Sequence, residues 1–215
     1  MSNYAIIPAR GGSKTIKKKN LKDFCGKPLL KWTLDACNES AYLDEFWVST
    51  EDSDIKALAV EEGAEFYRRD EWGCLDGAST DAVVGGWVSH LELKPKDNIL
   101  ILQCTSPYTR GIDIDACIHM LNTYDSVLSC KREKRFYWND DGTPIIHIPK
   151  QRPMKQWWPG TWMENGAIYG TKVGFFQASG CRVSGKIGIY EMDLGFELDD
   201  HQDWAVGETI MVGTK

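Results

Sequence analysis

Short runs of β-branched and aromatic residues recur through the first half of the chain, and between them the apolar positions shift to a spacing of three and four. "YAIIP", "FWVST", "AEFYR" and "NILILQ" read as strands. The stretches between them read as helices: Leu30, Leu34 and Cys37 after Pro28; Ile55, Leu58 and Ala59 after Ser53; Val83, Val84, Trp87, Val88 and Leu91 after Ser79 and Thr80. A helix over 111–122 and the strand "SVLSC" continue the series. Alternation of this kind predicts βαβ units around a mostly parallel sheet, an α/β fold.

Residues 131–164 break the pattern. They mix proline, charge and four tryptophans without a sustained period, and read as an inserted excursion. Tryptophan is costly to leave in water, so the segment is expected to lid a site, to pack on another subunit, or to cap the same core. "GAIYG", "KIGIYEM" and a helix starting near Asp200 then restore the alternation. The chain, 1–215, reads as a single domain.

Composition narrows the class. Hydrophobic residues at 42% and charged residues at 26% describe a globular chain rather than a fibrous or disordered one. No apolar run approaches the roughly 20 residues that span a bilayer, and "MSNYAIIPARGG" lacks a charged leader before a long apolar stretch, so a cytoplasmic protein without membrane partners is expected. The seven cysteines show no C-x-x-C pair and several occupy apolar periodic positions, as reduced core thiols do. The four histidines have no zinc-site spacing.

The net charge is −6, yet Arg10, Lys14, Lys17, Lys18, Lys19 and Lys22 crowd into thirteen residues directly after the first strand. A turn at the carboxyl end of a parallel strand is where open α/β sheets bind phosphates. Gly11 and Gly12 lack side chains, which lets backbone N–H groups approach an anion. The Walker and dinucleotide-loop spacings are both absent. A polyphosphate fits this turn; a merely solvated basic loop is the alternative, and the acidic total leaves no extended basic face for nucleic acid.

Near the other end, Glu197 and Asp199 lie two residues apart in "FELDD". If the segment is extended, both carboxylates share one face, about 6–7 Å apart, and can share a hard cation such as Mg2+. Asp200 and Asp203 read instead as N-cap and first-turn acids of the last helix. A cationic turn paired with a carboxylate site suits nucleotidyl transfer from a nucleoside triphosphate.

With both sites in view, "PARGGSK" followed by "KN" and "GKPLL", then "VSTEDSDI", "LQCTSP", "ENGAIY" and "ELDDHQDW", the chain resembles the acylneuraminate cytidylyltransferases, the CMP-sialic acid synthetases. The resemblance implies a three-layer Rossmann-like nucleotidyltransferase fold with an inserted dimerisation or lid segment. It further implies use of CTP and Mg2+, transfer of CMP to the anomeric hydroxyl of a nine-carbon 2-keto sugar acid, and a homodimer. Carried over by position, Arg10, Lys19 and Asp199 are the catalytic set. Ala9, Arg10, Gly11, Gly12, Lys14, Lys19, Asn20, Arg69, Ala78 and Thr80 surround the nucleotide. Gln103, Thr105, Ser106, Asn165 and Tyr169 line the sugar pocket, and Glu197 and Asp199 hold the metal. The family's D-x-D stands here as Glu197-Leu198-Asp199. A CMP-Kdo synthetase-type activity and a catalytically silent nucleotide-sugar binder are the alternatives, and the sequence does not choose among N-acetylneuraminic, deaminated neuraminic, legionaminic and pseudaminic acids.

Overall fold

The period-two runs form one sheet, and each apolar helical stripe covers one of its faces. A computed structural model describes residues 1–69 and 79–213. Strand β1 (Asn3–Pro8) leads through the basic turn to a small hairpin of β2 (Asp23–Phe24) and β3 (Lys27–Pro28), then helix α1 (Leu29–Glu39). There follow β4 (Glu45–Thr50), α2 (Ser53–Glu61), β5 (Glu65–Arg68), α3 (Thr80–His90), β6 (Asn98–Leu102), α4 (Gly111–Met120) and β7 (Ser126–Glu133). After the irregular segment come β8 (Thr161–Lys172), α5 (Val173–Ser179), β9 (Ile187–Glu191) and α6 (His201–Gly213).

The seven-stranded sheet has the order β5-β4-β1-β6-β8-β7-β9. Only β8 runs against its neighbours, pairing antiparallel with both β6 and β7, while the β1–β4, β1–β6, β4–β5 and β7–β9 ladders are parallel. Strand alternation divides the core. Ala5, Ile7, Leu100 and Leu102 face α1, α2 and α4, whereas Ile6, Ile99 and Ile101 face α3 and α5 around fully buried Trp87. Three layers result, as the resemblance implies. Their central strands are apolar on both faces because helices cover both.

Two boundaries differ from the sequence reading. Helix α2 takes in Ser53, after which the sequence reading began it, and is capped by Asp52, whose side chain accepts from the amides of Asp54 and Ile55. The excursion is narrower than 131–164: residues 131–133 and 161–164 pair as the outer rungs of the β7–β8 hairpin, with Arg132 opposite Trp162, and only 134–160 project from it. Within that arm Phe136 stacks on Trp158 at 4.7 Å, while Trp157 is 78% exposed.

A third apolar cluster, smaller than the other two, decides where the site forms. Ile16 of the basic turn, Phe24, Leu29, Tyr108, Leu198, Trp204 and Met211 pack together, so the turn, the loop after β6 and the segment before α6 share one anchor. Ile16 and Leu198 are almost wholly buried, which fixes the charged residues on either side of them.

Candidate active site

β1 and β6 end side by side, and the chain leaving each must turn away from the sheet. Their exits leave a cleft of about 560 Å³, walled by Pro8, Arg10, Ser13, Lys14, Thr15, Lys19 and Asn20 on one side and by Gln103, Cys104 and Thr105 on the other. Arg69 after β5, Thr80 and Val83 at the start of α3, and Asp199 before α6 complete the wall. Chain positions almost 190 apart thus face one space. The N-terminus of an 11-residue helix, capped by the Ser79 hydroxyl on the Ala82 amide, opens onto it.

The basic turn is built rather than loose. Asn20, itself buried, donates from Nδ2 to the Arg10 carbonyl at 2.9 Å and ties the two ends of the turn together. Lys19 crosses the cleft: Nζ donates to the Leu198 carbonyl at 2.8 Å and lies 3.4 Å from Asp199 Oδ1. The cationic turn and the acid pair therefore meet.

Glu197 and Asp199 flank buried Leu198, as alternation predicts, although residues 195–199 form no strand. A single ladder-like bond, Leu198 N–H to the Thr105 carbonyl at 2.8 Å, keeps them extended before α6 begins. Burial, then the Asp199 charge, raise the Glu197 carboxyl above its ordinary pKa, and Lys19 pulls it back. Glu197 stands behind the wall, against the positive-φ turn at Gly166, and does not line the cleft. Asp200 caps α6 through the amides of Gln202 and Asp203, and Asp203 returns a carboxylate to the amides of Asp199 and Asp200. These two acids serve the helix.

Asp199 is the one carboxylate of the pair that faces the cleft, so a hard cation there would take a single protein carboxylate, with Glu197 adding negative charge from behind the wall. Among the described residues no group of three or more His, Cys, Asp or Glu side chains gathers as a complete cage. Phosphate oxygens and water would complete the shell, the usual manner of Mg2+.

Nine of the residues singled out in the sequence line the cleft: Arg10, Lys14, Lys19, Asn20, Arg69, Thr80, Gln103, Thr105 and Asp199. Ala9 is buried beside it, bonded to the Ser49 carbonyl. Ser106 is buried in the turn behind Thr105, its carbonyl accepting from the Thr109 hydroxyl. Asn165 is buried, its Oδ1 accepting from the Ser129 hydroxyl at 2.6 Å and its Nδ2 without a hydrogen-bond partner among the described residues. Tyr169 lies in the α3-side core, its hydroxyl donating to Glu164 at 3.0 Å and Arg182 over its ring. Gly11 and Gly12 also lie off the cleft, and Ala78 lies outside the described residues. Ser13, Thr15 and Cys104 belong to the wall without having been singled out. The hydroxyls interleaved with lysines in "SKTIK" were the available signal. Burial pushes the Cys104 thiol up to about 12 against the charges of Lys19 and Arg69, so it serves as a small apolar contact.

The family model for cytidylyltransferases matches residues 4–146. The chain is 34% identical to N-acylneuraminate cytidylyltransferase B of Danio rerio, over 95% of this chain and 50% of that one. It is 38% identical to the pseudaminic acid cytidylyltransferase of Campylobacter jejuni, over 50% of this chain and 47% of that one. The chain spans about half the length of the curated relatives it matches. Among solved structures, a CMP:2-keto-3-deoxy-manno-octonic acid synthetase complexed with CTP superposes with a TM-score of 0.74 at 15% identity, over the whole of both chains. A 4-diphosphocytidyl-2C-methyl-D-erythritol synthase from Anaerococcus prevotii gives 0.70 at 13%, over 98% of each. At such identities the likeness is one of fold.

Proposed function

The chain belongs to the cytidylyltransferase family, and on that premise we propose that it transfers CMP from CTP to the anomeric hydroxyl of a nonulosonic, sialic-type acid, releasing pyrophosphate. One observation carries the proposal: Arg10, Lys14 and Lys19 from the N-terminal turn face Asp199 and the polar pair Gln103 and Thr105 across one cleft.

In this reading the three cations bind the triphosphate and offset charge that grows on the departing pyrophosphate. The cytidine lies toward Asn20, Arg69 and Thr80, and the sugar acid toward Gln103 and Thr105. Ser106, Asn165 and Tyr169 support that wall from behind. The sugar's anomeric oxygen attacks the α-phosphorus in line, the bond to the β-phosphate oxygen breaks, and pyrophosphate leaves with the electron pair. In this reading Asp199 takes the proton from the attacking hydroxyl. Asp199 would hold Mg2+ on the cleft side, with Glu197 adding negative charge from behind; the ion when bound supplies charge neutralisation on the phosphates. Catalysis by the protein is thus chiefly orientation and electrostatics.

A homodimer is part of the proposal. The arm carries exposed Trp138, Ile145, Ile148, Met154 and Trp157. Residues 134–160 hold five basic side chains against two acidic ones in a chain of net charge −6, so the acidic body of a second copy complements the arm in charge. Among the described residues no helix is long and apolar enough to cross a membrane, and six cysteines are free. Free thiols suit the cytoplasm, where we place the reaction.

The test is pyrophosphate release from CTP with Mg2+ across a panel of 2-keto sugar acids that includes Kdo. Turnover with a nine-carbon acid supports the proposal. Turnover with Kdo alone replaces the acceptor, and nucleotide binding without turnover replaces the enzyme with a binder.

A further inference from the structure

The basic turn holds more cations than its cleft uses. Arg10, Lys14 and Lys19 line the cleft, Lys22 lies over the Trp204 ring, and Lys18 points away. We propose that the acidic stretch Glu51-Asp52-Ser53-Asp54, where α2 begins, is the positioning element of the triphosphate turn: it takes the Gly11 amide and Lys18 on its own side, and so holds Arg10, Lys14 and Lys19 toward the nucleotide. The inference rests on the function proposed above and assigns three acids that it leaves without a role.

Three contacts compose the latch. The Gly11 N–H donates to Glu51 Oε1 at 2.7 Å. Lys18, held in the left-handed region at φ 52°, donates from Nζ to Asp54 Oδ2 at 2.9 Å. Between them Asp52 fills the space that a side chain on residue 11 would need: a Cβ there would lie 2.6 Å from Asp52 Oδ2 and 2.8 Å from its Cβ. Asp52 cannot swing aside freely, because Oδ1 accepts from the amides of Asp54 and Ile55 and caps α2. Gly11 is thus a glycine for close seating on a helix cap, and its amide is occupied by a carboxylate of the protein itself. This differs from the sequence reading, in which that amide was left for phosphate.

The contacts are unequal. Lys18 and Asp54 are 58% and 61% exposed, and an ion pair so wet contributes little. The amide bond to a charged acceptor and the tight seating on Asp52 carry most of the effect. Because six like charges in thirteen residues repel one another, a turn without this anchor spreads, and the three cleft cations lose their shared aim.

Two measurements test the latch in the full chain. Without any substrate, amide hydrogen exchange at Gly11 is expected to quicken about tenfold in Glu51→Ala and to stay near the parent rate in Glu51→Gln, whose amide oxygen still accepts. In steady-state kinetics Glu51→Ala should raise KM for CTP about five- to tenfold with kcat within about twofold, and Glu51→Gln should restore KM. Space is tested separately: Gly11→Ala should lose CTP affinity, and the double variant Gly11→Ala/Asp52→Gly, which removes the opposing Cβ and keeps a tolerable cap, should regain most of it. Unchanged exchange in Glu51→Ala, or a double variant no better than Gly11→Ala, would overturn the latch. A parent with no CTP-dependent turnover would defeat the proposed reaction, while the exchange result would still decide for or against the latch.

Discussion

Replacing Lys19 with alanine separates what the residue does for the fold from what it does for the reaction. In the fold, its Nζ donates to the Leu198 carbonyl at 2.8 Å and approaches Asp199 at 3.4 Å, with the lysine side chain 14% exposed and Asp199 70% exposed. A charged donor on a carbonyl is worth about 1.5–3 kcal/mol, and the exposure of Asp199 puts this case near the lower figure. For a domain of this length, about 1.5 kcal/mol lowers Tm by roughly 3–6 °C. In the reaction, removing one positive group aimed at charge that develops in the transition state costs about 10²–10³-fold in kcat, near 3–4 kcal/mol. The two effects differ enough to be read apart. Steady-state pyrophosphate release at saturating CTP, beside a thermal melt of the same sample, is the assay. A melt lowered by a few degrees together with a kcat within threefold of the parent would refute the reasoning, leaving Lys19 a strut between the turn and residue 198.

Asp199→Asn removes a carboxylate from the cleft while Lys19 keeps its bond to the Leu198 carbonyl; activity should fall about 10²–10³-fold and lose its dependence on Mg2+, measured by titrating the metal against rate. Tyr108 donates to the Gly207 carbonyl at 2.7 Å, and burial holds its hydroxyl up to about 12 against a usual 10.0. Because the folded pKa is the higher one, the stability tied to the phenol is present below pH 10 and is lost as pH rises toward 12. Urea titrations across that window should show a shallower decline for Tyr108→Phe, and identical slopes would argue against the burial. Trp157→Ala should weaken self-association about 10- to 100-fold in sedimentation equilibrium; a parent that is monomeric at micromolar concentration, or a variant that dimerises equally well, would remove the arm from the interface.

Legibility in the sequence varied with the range of the interaction. The strands "YAIIP" and "NILILQ" and the stripe Leu30, Leu34, Cys37 could be read locally, because period and propensity are properties of neighbours, and the structure places them at β1, β6 and α1. Asp200 and Asp203 were recognisable as helix-start acids for the same reason. The span of the arm was not, since Arg132 and Trp162 become strand residues only through pairing with each other, and 131–133 alone carry no strand period.

Residue types and order along the chain sufficed for the α/β class, for a cationic turn after the first strand and for a carboxylate pair before the last helix, and the motifs placed the chain among nucleotidyltransferases. Which of six cations serve the cleft, that Gly11 gives its amide to Glu51, and that Glu197 withdraws behind the wall while Asp199 lines it are matters of tertiary structure. Burial of Ile16 and Leu198 in one shared cluster sets the lysines against the acid pair, and the seating of Gly11 on Asp52 sets its amide. Such long-range packing sets which way a charged side chain points, and a linear pattern holds no record of direction once the partners are almost 180 positions apart.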